Sequence, residues 1–422
     1  MIELRPYQER GVSSLVKHNR AVIKSIAGSG KTLMGAEALR RIIPNSPKGA
    51  EVWWLGYTVE QISQAKDAVA LFPEISEHFD LNFCCYATLP DLSKAFAVVC
   101  DECHRVGATE NEQMLLNCNP DAIRWGLSAT PKRADDRAHL VFELLGPIVE
   151  TIGRDELLAS GHIAHAKVQF HTTNCTDELE AAVETAAWPE FAERFRKWPY
   201  LAVTRRTVLH RALQAYDAAP SPELWGAVMV HLRYLADNDA NEQWRRVIWQ
   251  MCQKIALFEN SARNEYVAAL ILNELEDNHA ILVTVGSIEH GKHLLSLVEA
   301  GGGRGVACYS KMGKKARAKA LQDFAEGGNN LLLVTTLGDE GLDLPRTDTM
   351  ILTGGGRSDR ASEQRTGRAL RPFKDKAFGM IHDFTDEAHY MTSRQSWARR
   401  HLYEKLGYEI ISENKLNELD IS

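Results

Sequence analysis

Short apolar runs recur along this chain with longer amphipathic stretches between them, and that alternation restricts the folds open to it more than any other feature. In the first part the runs are Ala21 to Ile26, Val52 to Tyr57, Phe83 to Tyr86, Phe96 to Cys100 and Trp125 to Ser128. Runs this short, rich in Val, Ile and aromatic residues, read as strands buried on both faces. Segments such as Val59 to Leu71 carry helical spacing and supply the crossovers. The series returns from about residue 279, in Ile281 to Val285, Gly305 to Tyr309, Leu331 to Thr335, Met350 to Leu352 and Gly379 to Phe384, with Lys314 to Phe324 helical between. The fold class expected is therefore α/β, with two parallel-sheet domains in tandem.

Residues 174–262 lack strand signals and hold five tryptophans, ten Lys or Arg and twelve Asp or Glu. They read as a helical insertion whose tryptophans are core or interface packing; stacking on bases would require exposed rings. Beyond residue 390, Arg394, Arg399, Arg400 and Lys405 suggest a terminal amphipathic helix followed by a short extended end.

Composition narrows the class. With 45% hydrophobic and 25% charged residues the chain is of ordinary globular make-up. Eight cysteines in 422 residues are too sparse for a disulfide scaffold, so reduced thiols are expected. No apolar run reaches membrane-spanning length, and Met1-Ile2-Glu3-Leu4-Arg5-Pro6 has no secretory character, so a cytoplasmic protein without a membrane partner is expected. A formal charge of -7 excludes uniform basic coating of nucleic acid and leaves room for a local groove.

Two motifs carry chemistry. Ser25-Ile26-Ala27-Gly28-Ser29-Gly30-Lys31-Thr32 joins an expected strand to an expected helix. Glycines there let backbone N–H groups wrap a phosphate, and the helix N-terminus adds donors and a favourable dipole. Lys31 would reach the β and γ phosphates and the Thr32 hydroxyl would hold Mg²⁺; Ser25 stands where the strict pattern has its first Gly. The run Phe96 to Cys100 ends in Asp101-Glu102-Cys103-His104. Asp101 would share the metal with Thr32, and Glu102 would be the base that polarises water. Cys100-x-x-Cys103-His104 also matches the haem-attachment pattern, but that chemistry belongs outside the cytoplasm and Cys100 sits in a core strand. Zinc would need a second Cys or His pair at ligand spacing, which the sequence does not offer.

Together with Gly126-Leu127-Ser128-Ala129-Thr130-Pro131, these motifs resemble motifs I, II and III of the superfamily 2 helicases, in that order. Leu333-Val334-Thr335-Thr336, continuing to Gly341-Leu342-Asp343, resembles motif V, and Gln364-Arg365-Thr366-Gly367-Arg368-Ala369-Leu370-Arg371 resembles motif VI. Leu4-Arg5-Pro6-Tyr7-Gln8 is similar to the adenine-recognising Q-type motif. Thr58 and Gln64 fall at motif Ia, Tyr86-Ala87-Thr88-Leu89 at a further strand-contacting element, and Val285-Gly286-Ser287 at motif IV. The Leu-Arg-Pro-Tyr-Gln start and Arg368-Ala369-Leu370-Arg371-Pro372 lean toward the UvsW-like, RadD-like and type III restriction motors. Residues 174–262 match no motif of the family.

The resemblance implies RecA-like domains at 1–165 and 263–390, the helical insertion at 174–262 and a helical tail at 391–422. It implies ATP and Mg²⁺ as cofactors, with Arg5, Gln8, Gly28, Ser29, Gly30, Lys31, Thr32, Asp101, Gly341 and Asp343 around the nucleotide. Catalysis would fall to Lys31, Glu102, Gln364, Arg368 and Arg371. If motif VI is helical, the two arginines share one face and act as fingers worth roughly 10³ to 10⁵ in rate. Ser128 and Thr130 would couple hydrolysis to strand movement. Thr58, Gln64, Thr88, Ser287, Thr335 and Thr336 would hold nucleic-acid phosphates without reading bases. The function implied is an ATP-dependent DNA helicase or translocase. An RNA helicase, or an ATP-gated scaffold with a protein partner on 174–262, are the alternatives.

Overall fold

The strands that sequence reading places in the first part line up side by side, because each is apolar on both faces and only a parallel sheet covered by helices hides both. The computed structural model describes residues 3–131 apart from Ala27, 137–173, 246–335 apart from Ser310, 344–354 apart from Pro345, 378–387 and 390–415, with a few isolated helical positions between 182 and 218. Most of the expected insertion 174–262 lies outside the described residues.

The first sheet contains β1 (Arg20–Ser25), β2 (Glu51–Gly56), β3 (Asp80–Cys85), β4 (Ala97–Asp101), β5 (Ile123–Ser128) and β6 (Ile148–Ile152), in the order β3-β2-β4-β5-β1-β6. Every pairing is parallel. Helices α1 (Pro6–Val16), α2 (Lys31–Ile42), α3 (Val59–Ala70), α4 (Pro73–His78), α5 (Thr109–Leu116), α6 (Ala138–Leu145) and α7 (Arg154–Ala159) belong to this lobe. Neighbouring residues of one strand enter different cores: Ile23, Trp54 and Val99 pack on one face, and Val22, Leu55 and Val98 on the other. That two-sided burial is what short uninterrupted apolar runs encode.

The second sheet contains β7 (His165–Thr173), β8 (Ile281–Thr284), β9 (Val306–Cys308), β10 (Leu331–Val334), β11 (Thr349–Leu352), β12 (Phe378–Asp386) and β13 (Glu409–Lys415). Its order is β13-β7-β12-β11-β8-β10-β9, again parallel throughout. Helices α8 (Ser261–Glu276), α9 (Ile288–Ala300), α10 (Lys314–Glu326) and α11 (Tyr390–Lys405) accompany it, and Cys252–Phe258 forms a π-helical turn before α8. Leu282, Leu332 and Met350 face one core and Ile281, Leu333 and Ile351 the other.

Two members of this sheet come from unexpected places. β7 follows directly on the first lobe yet pairs along its whole length with β12, His165 opposite Phe378 through Thr173 opposite Asp386. The extended end of the tail becomes β13, beside β7. The tail helix α11 buries Arg399 rather than solvating it: its guanidinium forks onto Asp383, with Nε 2.9 Å from Oδ2 and Nη2 2.9 Å from Oδ1, and the Tyr403 hydroxyl donates to the same carboxylate at 2.7 Å. Arg263 makes a matching buried fork onto Asp386 at 2.8 and 3.2 Å.

Candidate functional site

Parallel β1, β4 and β5 are neighbours in the sheet, so their carboxyl ends converge on one spot, the edge where ligands bind in open α/β sheets. The phosphate-loop motif, the acidic pair and Ser128 stand at these three ends.

The loop after β1 curls through two left-handed glycines, Gly28 at φ 84° and Gly30 at φ 83°. Side chains disfavour that conformation, and a Cβ on Gly30 would also sit 2.5 Å from Gln8 Nε2. Gly30 caps α2 without any side-chain acceptor for the first-turn N–H groups, which leaves donors for an anion. Internal bonds hold the loop. Ser25 Oγ donates to Ser29 Oγ, which donates to the Ile26 carbonyl at 2.8 Å. Gln8 Nε2 donates to the Ser29 carbonyl at 3.0 Å, while Gln8 Oε1 accepts from Arg5 N–H at 3.0 Å. The Q-type segment is thus tied to the loop by hydrogen bonds, and Arg5 remains exposed with Nη1 on the Tyr7 hydroxyl. Lys31 Nζ folds back over the loop onto the carbonyls of Ser25 and Ile26 at 3.1 and 3.3 Å.

Glu102 follows β4 with left-handed backbone, φ 48° and ψ 51°. For a non-glycine residue this costs about 1 to 2 kcal/mol, and it marks the turn as a place where geometry is imposed. The Glu102 carboxylate accepts from Ser128 Oγ at 3.1 Å and lies 3.4 Å from His104 Nδ1. Ser128 Oγ in turn accepts from the Thr130 N–H at 3.2 Å. The Thr130 hydroxyl is buried and has no partner among the described residues. His104, 2% exposed, joins Glu102 to Ser128; the sequence reading gave it no role, and its place as fourth letter of the acidic motif was the available signal. Tyr86, read from sequence only as the first letter of a strand-contacting element, also braces the acidic strand end: its hydroxyl donates to the Asp101 carbonyl at 2.8 Å.

Burial drives the Asp101 carboxyl up to about 7, the Glu102 charge adds to that, and Lys31 opposes it. Glu102 goes the other way: burial alone would raise it, but its His104 hydrogen bond and the Lys31 charge hold it below the usual range. A buried carboxylate that one lysine does not fully compensate is a donor that suits a hard divalent cation, and the half-buried Thr32 hydroxyl stands next in the chain to that lysine at the start of α2. Cys100 and Cys103 are free thiols sealed in the core.

Toward nucleic acid, Thr58 caps α3 and its hydroxyl accepts from Gln61 N–H at 3.2 Å. Ser287 caps α9 and accepts from His290 N–H at 3.0 Å. A hydroxyl that accepts in a cap still has its own proton to donate. Thr58 stands two residues after β2 ends at Gly56, and Ser287 three residues after β8 ends at Thr284, so each lobe offers a hydroxyl where a helix begins after a strand. Gln64 and Thr88 are exposed, whereas Thr335 is buried at the end of β10, its hydroxyl without a partner among the described residues. Thr336, Gly341, Asp343, Gln364, Arg368 and Arg371 lie outside the described residues.

Two parallel sheets, one carrying a phosphate loop and an acidic strand end, define an ATP-hydrolysing motor core. The type III restriction enzyme res subunit family matches residues 1–82 and 57–133, and the helicase conserved C-terminal domain matches 262–372. The chain is 26% identical to the DNA 3'-5' translocase XPB2 of Sulfurisphaera tokodaii, over 93% of this chain and 84% of that one. It is 22% identical to a Rad25-type relative from Halobacterium salinarum, covering 96% of this chain and 58% of that one, so it spans little more than half of that protein. Among solved structures, the DNA-bound Type ISP restriction-modification enzyme LlaBIII superposes with TM-score 0.60 at 13% identity, over 96% of this chain and 30% of that one. The Hef helicase domain of Pyrococcus furiosus gives 0.50 at 15% identity, over 93% and 98%. The chain belongs to the superfamily 2 helicases, near the type III restriction motor branch.

Proposed function

We propose that this chain is an ATP-driven DNA helicase or translocase that unwinds or remodels duplex or branched DNA, with the 3'-5' polarity that its relatives' names carry. The observation that supports it most is the convergence of Lys31, Asp101, Glu102 and Ser128 on three adjacent strand ends. Lys31 leaves the loop carbonyls for the β and γ phosphates, and the N–H groups opening α2 cradle them. Thr32 and Asp101 would hold Mg²⁺, which would supply charge neutralisation on the phosphate oxygens. Glu102 takes the proton of the attacking water, kept ionised by Lys31 and His104. Gln8 and Arg5 read the base.

Ser128 couples the site to its surroundings because its hydroxyl bonds Glu102 while accepting from Thr130. By the family resemblance, Gln364, Arg368 and Arg371 would meet the γ phosphate, with Gly341 and Asp343 at the ribose, so that hydrolysis would follow lobe closure. Thr58, Gln64, Thr88, Ser287, Thr335 and Thr336 hold the strand; Thr335 does so once its buried hydroxyl is uncovered. Lobes at 1–165 and 263–390, a partner-docking insertion at 174–262 and the tail at 391–422 complete the organisation. No helix among the described residues is long and apolar enough to cross a membrane.

The test is ATP hydrolysis measured against single-stranded, duplex and forked DNA and RNA of matched sequence. Hydrolysis is expected to rise with DNA, and forked DNA to be unwound. A rate unchanged by every polynucleotide would overturn the reading. Stronger stimulation by RNA would favour the RNA helicase, and stimulation without strand displacement the scaffold.

A further inference from the structure

One aromatic ring at the rim of the first sheet is built as a surface. Tyr57 follows Gly56 at the end of β2, and 43% of it is exposed. Its backbone is fixed, since its N–H donates to Gln61 Oε1 at 2.8 Å within the α3 cap. One face of its ring is covered by the Arg105 guanidinium, whose Cζ stands 3.6 Å from the ring centroid. Arg105 is itself anchored, because its carbonyl accepts from Asn111 Nδ2 at 3.0 Å and from Ala108 N–H at 3.1 Å. The short turn Cys103–Gly107 that carries it is capped by Glu102.

The surroundings share this character. Val59 is 62% exposed and Leu89 41%, the latter in left-handed backbone at φ 47°. β2 and β3 are neighbours, so Thr58 and Thr88 each stand beside an exposed apolar side chain at one rim. A surface made only to grip phosphates needs hydroxyls and cations, not apolar groups.

We propose that Tyr57, backed by Arg105, is a stacking platform for an unpaired nucleobase, so that the first lobe senses single strands in addition to holding phosphates. This rests on the reading that the rim binds nucleic acid. Every base presents a flat π-face, which makes such contacts sequence-tolerant, and the guanidinium holds the ring by cation–π attraction from behind. A duplex hides its base faces within its own stack, so only an unpaired nucleotide can use the platform. The platform also stands on the turn that Glu102 opens, which puts strand capture beside the hydrolytic carboxylate.

The experiment is fluorescence anisotropy of the full chain with a labelled single strand and with a blunt duplex of the same sequence. Tyr57→Ala is expected to weaken single-strand binding roughly 5- to 150-fold, the range of one lost stacked base, and duplex binding by less than about 3-fold. Tyr57→Phe and Tyr57→Trp are expected to keep single-strand binding within about 2-fold. A Tyr57→Ala chain unchanged on single strands, or weakened alike on both substrates, overturns the proposal, as does a Tyr57→Phe chain as weak as Tyr57→Ala. A wild-type chain that binds no polynucleotide overturns this and the proposed function together; one that binds and ignores Tyr57→Ala overturns this alone.

Discussion

The two lobes share one architecture and treat buried charge in opposite ways. In the first, charge gathers at the strand ends and is left incompletely matched: Asp101 is pushed up to about 7 by burial and by the Glu102 charge, against Lys31. In the second, Arg399 forks onto Asp383, Arg263 onto Asp386, and His171 bridges Tyr266 to His382 at 2.6 and 2.9 Å. An under-compensated site gains when a ligand supplies the missing charge, whereas a closed network gains nothing from one. Among the described residues, the first lobe therefore leaves room for a ligand's charge, and the second is a braced frame.

The sharpest way to break that contrast is Glu102→Gln. Removing the proposed general base is expected to lower DNA-stimulated kcat by roughly 10² to 10⁴ while ATP still binds, because Gln preserves shape and the Ser128 contact. Steady-state hydrolysis beside nucleotide binding decides it, and a variant that hydrolyses ATP normally removes Glu102 from the mechanism. In the frame, Arg399→Ala leaves Asp383 buried without its cation and is expected to cost about 3 to 5 kcal/mol, read as lost amide protection in the second sheet. Arg400→Ala, one position on and partly exposed, should cost about 1 kcal/mol or less. Equal effects of the two would mean that the Asp383 pair is not what braces the lobe.

This contrast was only half legible in the sequence. The loop from Ser25 to Thr32 and the run ending in Asp101 could be read because their chemistry is local: neighbouring letters fold into one turn and face one ligand. The strands with uninterrupted apolar runs were readable for the same reason. β7 was not, since His165-Ala166-Lys167-Val168-Gln169 alternates like a half-exposed strand, and its partner β12 lies far along the chain. Arg399 read as one more basic residue of an amphipathic tail. Its burial depends on Asp383 across a turn and on β12 beneath, and spacing alone does not record such a pairing. Gln8 was legible as a motif letter, but not its bond to the Ser29 carbonyl.

Acid should separate the lobes at intermediate size. Burial, and then the neighbouring His382, depress His171 to about 3; burial, Arg263 and His293 depress His290 to about 3. Both are neutral when folded, while the unfolded chain takes up protons below about 6.5. Their stability contribution is therefore complete above that value and is lost as pH falls toward about 3, at about 1 kcal/mol per histidine by pH 5.5. Amide exchange in the second sheet, followed from pH 7 to 5.5, should show the loss, and His290→Gln should flatten it. A second sheet equally protected at both pH values would contradict the assignment of neutral buried histidines.

The smallest effects test a device that both lobes use. Thr58 and Ser287 each accept a backbone N–H at a helix start and each retain a proton to donate. Thr58→Ala or Ser287→Ala should lose the cap, at about 0.5 to 2 kcal/mol, along with the donor, so Ala cannot separate the two roles. Asp and Asn can. Both are good caps, but ionised Asp only accepts, while Asn keeps N–H groups to donate. Thr58→Asp and Ser287→Asp are thus expected to leave stability near wild type and to weaken DNA binding, most at low salt where repulsion of phosphate is least screened. Thr58→Asn and Ser287→Asn should preserve both. If the Asp chains bind DNA as well as the Asn chains do, these hydroxyls serve only their helices, and the symmetry between the lobes belongs to the fold rather than to the grip on the strand.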